Sequence, residues 1–128
     1  MNYLVLLGRI LYSLIFLEAV LSNFSASSIA KAADKGIPMS NILVPAAGIM
    51  AFAGGLSIVL GYKAKLGAWL IILFLVPVTL MMHNFWAIKD PMMRRMQQIM
   101  FMKNLSMLGA ALLIAYFGAG PLSIDSND

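Results

Sequence analysis

Cysteine is absent from this 128-residue chain, and charged residues make up only 11% of it. The lack of cysteine excludes a disulfide scaffold, thiol redox chemistry, thiolate zinc sites and cysteine-ligated iron–sulfur clusters. Apolar residues reach 62% and the mean hydropathy is +0.90, whereas soluble domains carry roughly 25% charged residues. A soluble chain this short cannot shield so much apolar surface from water. We therefore predict a small integral membrane protein with one domain, residues 1–128.

Recognisable catalytic motifs are also missing. The chain has no P-loop, no Rossmann glycine pattern, no HExxH and no hydrolase elbow, and no motif for haem, flavin or zinc. Its one histidine, His83, excludes a multi-histidine metal centre within a single chain. The net charge is +4, but no basic stripe alternates with aromatics, so nucleic-acid binding is not expected. We predict no catalytic residue and no metal site, an unknown cofactor, and a chain that is not an enzyme on its own.

Four helices are expected at about residues 2–22, 41–61, 65–86 and 91–117, and their apolar segments cover about residues 2–21, 42–60, 66–86 and 99–117. Each has close to the roughly 20 residues that cross a bilayer core, and within lipid such segments must be helical. The fold class predicted is all-α, an integral membrane four-helix up-down bundle. Residues 25–35 are expected to form a short interfacial helix that ends at Gly36. Ser40 and Asp90 are the expected N-caps of the second and fourth spans.

Four crossings place both termini on one side of the membrane. We call the end with the termini and residues 61–65 side A, and the end with the 22–41 and 87–98 connections side B. Side B carries most of the cations between spans: Lys31, Lys35, Lys89, Arg94 and Arg95. The positive-inside rule therefore places side B in the cytoplasm and both termini outside it. A bacterial inner membrane is the expected location.

Four ionisable side chains fall inside the predicted spans, where each costs about 2.5–3.5 kcal/mol on insertion scales. Three of them, Glu18, His83 and Lys103, lie at a similar depth near side B, and three asparagines, Asn23, Asn84 and Asn104, are close to that level. We predict a polar cluster there, in which Glu18, His83, Lys103, Asn84 and Asn104 bind a quinone-like or lipid head group or relay protons. The alternative is a Glu18–Lys103 salt bridge that only fixes helix register.

Arg9, the fourth ionisable residue, lies near side A. Asp125 follows the Gly120-Pro121 break and is placed to fold back onto Arg9 in a bidentate pair. We predict a structural clamp formed by Arg9 and Asp125; binding of a phosphate head group is the alternative.

Small residues recur at helical spacing in two spans, at Ala47, Ala51 and Gly55 and again at Ser106 and Ala110. Such stripes let helices approach closely, either within the bundle or across a homodimer. Pro77 is expected to bend the third span. Four methionines lie on one face of the fourth span, Met92, Met93, Met96 and Met100. Copper(I) binding and adaptable packing both remain open for these methionines.

Several short motifs, taken together in order, resemble the DoxX family of four-helix membrane proteins. They are Gly8-Arg9, Gly54-Gly55, His83-Asn84-Phe85-Trp86, Lys103-Asn104 and the tail Ser123-Ile124-Asp125. The resemblance covers nearly the whole chain and implies an up-down bundle of four transmembrane helices, but it does not imply one activity. The leading hypothesis is a DoxX-like, non-catalytic accessory subunit of a membrane redox or stress-related assembly. It further implies a redox protein partner and a quinone or lipid ligand. The alternatives are a small transporter or lipid-binding protein, and a purely structural bundle. Membrane lipids and a second copy are the other expected partners.

Overall fold

The computed structural model describes residues 2–124, and these form five α-helices and one 3-10 turn. The helices are α1 (Asn2–Ser22), α2 (Ala26–Asp34), α3 (Ser40–Leu60), α4 (Ala64–Met82) and α5 (Pro91–Phe117), and the 3-10 turn is Phe85–Ala87. Four of the helices, α1, α3, α4 and α5, are long and apolar enough to cross a membrane. The all-α membrane bundle predicted from the sequence is confirmed.

Helices α3 and α4 form the centre of the bundle, with α1 packed against α3 and α5 packed against α4. The core consists of small residues and a few large side chains, among them Phe16, Ile58, Ile71 and Leu75. Helices α1 and α5 meet through Tyr12, whose hydroxyl donates to the carbonyl oxygen of Met107 at 2.8 Å. Most other large apolar side chains are exposed, as expected where a helix faces lipid.

Glycines set the closest approach between the helices. A Cβ placed on Gly54 would lie 2.8 Å from the carbonyl oxygen of Gly67 in α4. A Cβ on Gly55 would lie 3.1 Å from Cβ of Phe16 in α1. The predicted stripe Ala47–Ala51–Gly55 is thus only part of the packing surface. Gly54 and Gly67 bring α3 and α4 together, whereas Gly109 of α5 has nothing within 4 Å.

The turn between α3 and α4 is a Schellman motif. Gly61 adopts φ +69°, its N–H donates to Ile58, and the N–H of Tyr62 donates to Ser57. Positive φ favours glycine, which carries no Cβ to clash. Three residues therefore suffice to reverse the chain at side A.

The interfacial helix predicted for residues 25–35 is α2. The side chain of Ser25 caps it by accepting from the N–H of Ser28 at 3.2 Å, and Gly36 follows it with φ +83°. Asp90 caps α5 in the same way, through a 3.0 Å bond from the N–H of Met93. The expected cap of α3 is wrong: Ser40 is its first helical residue, and Met39 occupies the cap position with φ 52° and no side-chain bond.

The third helix ends earlier than residue 86, although the apolar stretch that could cross a membrane continues to Ala87. Helix α4 stops at Met82, and His83 has left helical geometry with φ −121°. The chain then forms the 3-10 turn, where the rings of Phe85 and Trp86 lie 5.4 Å and 5.8 Å from that of Phe101 in α5. Helical continuation would turn these two rings in different directions, so packing against Phe101 favours the tighter turn.

Candidate functional site

A cavity of about 520 Å³ lies between α2, α3 and α4 at side B. Its walls are apolar and come from the first half of α3 and the last half of α4. They include Val44, Ala47, Met50, Phe74, Val78 and Met81. Ligand sites usually measure 300–1,000 Å³ and have mainly apolar walls with a few polar groups. We call this cavity the side-B groove.

The groove follows from the sequence of α3. Gly54 brings α3 against α4 toward side A, but Ala46 and Ala47 occupy the wall nearer side B. Alanine side chains are too short to fill the space between two helices at that point. Pro77 of α4 also lines the groove, and proline has no N–H with which to bond the carbonyl of Leu73. Small residues and a proline thus leave the groove open.

Four polar residues line the groove beside these walls: Asn23, Ser28, Lys31 and His83. Asn23 is positioned by a 2.9 Å hydrogen bond from Nδ2 to the carbonyl oxygen of Val44. The Nδ1 atom of His83 lies 2.7 Å from Oε1 of Gln97 in α5, and this amide oxygen is the acceptor of the hydrogen bond. Lys31 is exposed on α2. The groove therefore offers one cation and several hydrogen-bonding groups beside a long apolar surface.

A hydrogen bond between Lys35 and Asn84 joins the end of α2 to the turn after α4. Nζ of Lys35 donates to Oδ1 of Asn84 at 2.8 Å. Lys31 lies one turn before Lys35 in the chain, His83 lies next to Asn84, and both line the groove. The hydrogen bond therefore joins the two segments that carry these polar residues. Asn84 thus holds α2 beside α4, a role that sequence reasoning did not foresee.

The predicted polar cluster is not assembled as one unit. Within residues 2–124, no hydrogen bond or ion pair joins any two of Glu18, His83, Lys103, Asn84 and Asn104. Only His83 lines the groove. Asn104 is half-buried on α5. Sequence depth alone suggested the cluster, and depth does not determine which way a side chain faces.

The expected salt bridge between Glu18 and Lys103 is likewise not formed within the described chain. The core-facing side of α1 carries Arg9, Ser13 and Phe16, and Glu18 projects from the opposite side, where it is exposed. Lys103 is exposed too and lies in a shallow hollow formed entirely by α5. A ligand-binding role for Glu18, Lys103 and Asn104 stays a prediction.

Arg9 contacts the C-terminal segment, as the clamp hypothesis requires, but through backbone atoms. Nη2 donates to the carbonyl oxygens of Pro121 and Leu122, at 3.2 Å and 2.5 Å. The side chain is only 4% exposed, and its Nε and Nη1 have no hydrogen-bond partner among the described residues. Asp125 lies outside those residues, so its pairing with Arg9 stays a prediction.

No group of three or more histidine, cysteine, aspartate or glutamate residues in the described range is arranged to hold a metal ion. The methionines at the start of α5 are exposed, with Met92 and Met96 74% and 60% accessible. Copper binding by these thioethers stays a prediction.

Sequence reasoning missed Ser28, Lys31, Lys35 and Gln97 as residues of this region. The signal available was α2 itself, whose polar and apolar residues segregate to two sides. That segregation agrees with the short interfacial helix expected over residues 25–35, but it does not show that α2 lies beside the opening between α3 and α4. The groove depends on contacts between segments far apart in the chain.

Four spanning helices with an amphipathic groove at one end define a small multi-pass membrane protein. The chain belongs to the SURF4 family, whose model matches residues 1–128. It is 27% identical over 121 residues to the inner membrane protein YqjF of Escherichia coli K12, covering 94% of this chain and 88% of that one. It is 28% identical over 127 residues to the Surfeit locus protein 4 homolog of Schizosaccharomyces pombe, covering 98% of this chain. It spans only 38% of that yeast protein. No solved structure gives a significant match.

The family match corrects the resemblance to DoxX proteins, which is wrong. The motifs behind it, such as His83-Asn84-Phe85-Trp86 and Lys103-Asn104, are short, and none is specific alone. Interfacial aromatics and isolated polar residues recur in membrane helices because the bilayer favours them at the same depths. The redox accessory role depended on that resemblance and has no other support.

Proposed function

We propose that this protein binds an anionic membrane lipid in the side-B groove. The observation that carries this proposal is the combination of long apolar walls with a polar rim that includes the cation Lys31. An acyl chain lies against Ala47, Met50 and Val78. Its burial there is favourable because it removes apolar surface from water. The acidic head group lies toward Lys31 and His83. This is the lipid-binding alternative named from the sequence.

The charge of side B supports an anionic head group. Five cations lie in the connections there, against two aspartates, Asp34 and Asp90. Basic residues near a membrane surface contribute about 1 kcal/mol each to the attraction of acidic lipids. Side B therefore concentrates acidic lipids around the groove opening before one enters it.

The membrane in which this happens is, on our proposal, a bacterial inner membrane. The Escherichia coli relative carries that location in its name, and this chain matches it over most of its length. With side B in the cytoplasm, the groove opens toward the cytoplasmic leaflet. Acidic lipids of that leaflet lie next to the basic connections of side B.

Filling the groove tests the proposal. Ala47→Phe places a ring between the walls, and we expect the protein purified in mild detergent to lose its co-purifying lipid. Ala53→Phe is the matched control, because Ala53 is exposed on the same helix and does not line the groove. Native mass spectrometry with lipid identification measures both. Equal lipid content in the two variants, or a quinone in place of lipid, would contradict the proposal.

The head-group contact is tested by Lys31→Gln. Loss of one cation near the membrane surface, worth about 1 kcal/mol, should lower the preference for acidic over zwitterionic lipid about fivefold. The control is Lys65→Gln, which removes an exposed cation from side A. Competition between phosphatidylglycerol and phosphatidylcholine, followed by mass spectrometry, gives the ratio. An unchanged ratio in Lys31→Gln would show that Lys31 does not contact the head group and that the site is only an apolar groove.

Orientation is tested by reporter fusions. With side B in the cytoplasm, alkaline phosphatase fused after Asp128 should be exported and active, since four spans return the chain to the side of its N-terminus. The same reporter inserted after Asp34, in the connection that contains α2, should be inactive. Activity at the second position and not the first would show the opposite orientation, in which the groove opens toward the outer leaflet.

A further inference from the structure

Two charged side chains of opposite sign are exposed on the outer surface of the spanning helices. Glu18 lies in α1 and Lys103 in α5. Neither has an ion-pair partner within residues 2–124. An exposed charge within a span faces lipid unless another chain covers it, and such charges are almost always paired in membrane proteins.

The two charges lie at nearly the same membrane depth. The hydrogen bond from Tyr12 to Met107 fixes the relative height of α1 and α5. At 1.5 Å per residue, Glu18 lies about 9 Å from Tyr12 toward side B, and Lys103 lies about 6 Å from Met107 in the same direction. A second molecule in the same membrane therefore presents its own Lys103 at the height of Glu18.

The surfaces around both charges are uncovered; the one around Glu18 is apolar and the one around Lys103 is mixed. On α1, Leu7, Leu11 and Leu14 share the exposed stripe of Glu18. On α5, the hollow that contains Lys103 is lined by residues of α5 alone: the apolar Ile99 and Met102 and the polar Arg95, Gln98 and Ser106. Helix α5 buries only Ala111 fully, so most of its surface is available to a partner.

We propose that two copies of this chain form a dimer through the outer faces of α1 and α5, with Glu18 of each copy paired to Lys103 of the other. A two-fold axis along the membrane normal makes the interface self-complementary, so each charge is used once and two ion pairs form. Both charged side chains are then covered by the other copy and no longer face lipid. Ser106 belongs to a stripe of small residues for which packing within the bundle and packing across a homodimer were both open. On this proposal Ser106 lies at the homodimer interface.

Charge reversal tests the proposal. Glu18→Lys leaves four positive charges at the interface, and Lys103→Glu leaves four negative ones. Each variant alone should dimerise about a hundredfold more weakly or worse, because opposed like charges cost several kcal/mol. An equimolar mixture of the two variants should form a mixed dimer, since each interface pair is then one lysine and one glutamate. Single-molecule photobleaching in lipid vesicles counts the subunits.

The mixture separates an intermolecular pair from one within the chain. If the Glu18→Lys, Lys103→Glu double variant dimerises and the mixture of single variants does not, the pair is intramolecular and the proposal fails. A monomeric unmodified protein, or single variants that dimerise normally, would also overturn it.

Cysteine cross-linking gives a second measurement in case a reversed charge prevents folding. The chain has no cysteine of its own, so no background disulfide forms. Leu14→Cys and Ser106→Cys lie within one helical turn of Glu18 and Lys103. Co-expressed with different tags, they should form a disulfide-linked product that carries both tags. Ile49→Cys, exposed on α3, replaces Leu14→Cys as the control and should form none. Absence of the first product, or equal yield of both, would overturn the dimer.

Discussion

Replacing Gly54 by alanine is expected to lower the stability of the bundle by about 1–3 kcal/mol, the usual cost of overpacking. The added Cβ would lie 2.8 Å from the carbonyl oxygen of Gly67 and 2.9 Å from Cδ1 of Ile71. The first of these atoms belongs to a helix backbone and cannot turn aside. Helix α4 must therefore move away from α3. The midpoint temperature for loss of the monodisperse protein, followed by size-exclusion chromatography after heating, measures the effect.

Gly67→Ala should behave alike, because its Cβ would lie 2.6 Å from Cβ of Ser57 and 3.0 Å from the carbonyl oxygen of Gly54. Gly8→Ala and Gly109→Ala are the controls, since both positions are helical and a Cβ at either has nothing within 4 Å. Alanine in place of an exposed helical glycine is favourable by up to about 1 kcal/mol. If all four variants shift the midpoint in the same direction, close contact between α3 and α4 does not limit stability.

Replacing Arg9 by methionine is expected to release the C-terminal segment from side A. The carbonyl oxygens of Pro121 and Leu122 would both lose their donor, and hydrogen bonds from charged groups contribute about 1.5–3 kcal/mol each. Methionine avoids the desolvation of a buried guanidinium, which offsets part of this loss. We expect a net destabilisation of about 2 kcal/mol and faster digestion from the C-terminus by carboxypeptidase.

Arg9→Lys retains the charge but lacks the planar fork that reaches two carbonyls, so its effect should be intermediate. Lys65→Met removes an exposed cation at the same end and should leave digestion unchanged. Asp125→Asn tests the predicted carboxylate pairing: it should accelerate digestion in the unmodified protein and have no further effect beside Arg9→Met. Digestion of Arg9→Met at the unmodified rate would show that Ile124, whose N–H donates to Leu60 at 3.0 Å, holds the segment without help.

Local sequence was sufficient for the helices and most of their ends. The cap at Asp90 depends on one side chain and the stop at Gly36 on one backbone angle, and neighbouring residues determine both. Predictions failed where a distant residue intervened. Helix α4 ends at Met82 because Phe85 and Trp86 pack against Phe101 of α5, and nothing near residue 82 indicates that contact.

The candidate site shows the same division. Counting residues along each span predicted that Glu18, His83 and Lys103 lie at a similar depth near side B. Direction around each helix depends on which neighbours it packs against. Glu18 therefore faces outward, while His83 meets Gln97 beside the side-B groove.

The sequence alone was enough to predict a multi-pass membrane protein, four long apolar helices and the short helix α2. These properties follow from hydrophobicity and local backbone preference, which act within a few residues. Packing between helices brings Gly54 and Gly67 together, places Ala46 and Ala47 beside a groove, and leaves Glu18 and Lys103 unpaired within residues 2–124. These features arise where helices meet, and the meeting faces are chosen by packing between residues far apart in the sequence.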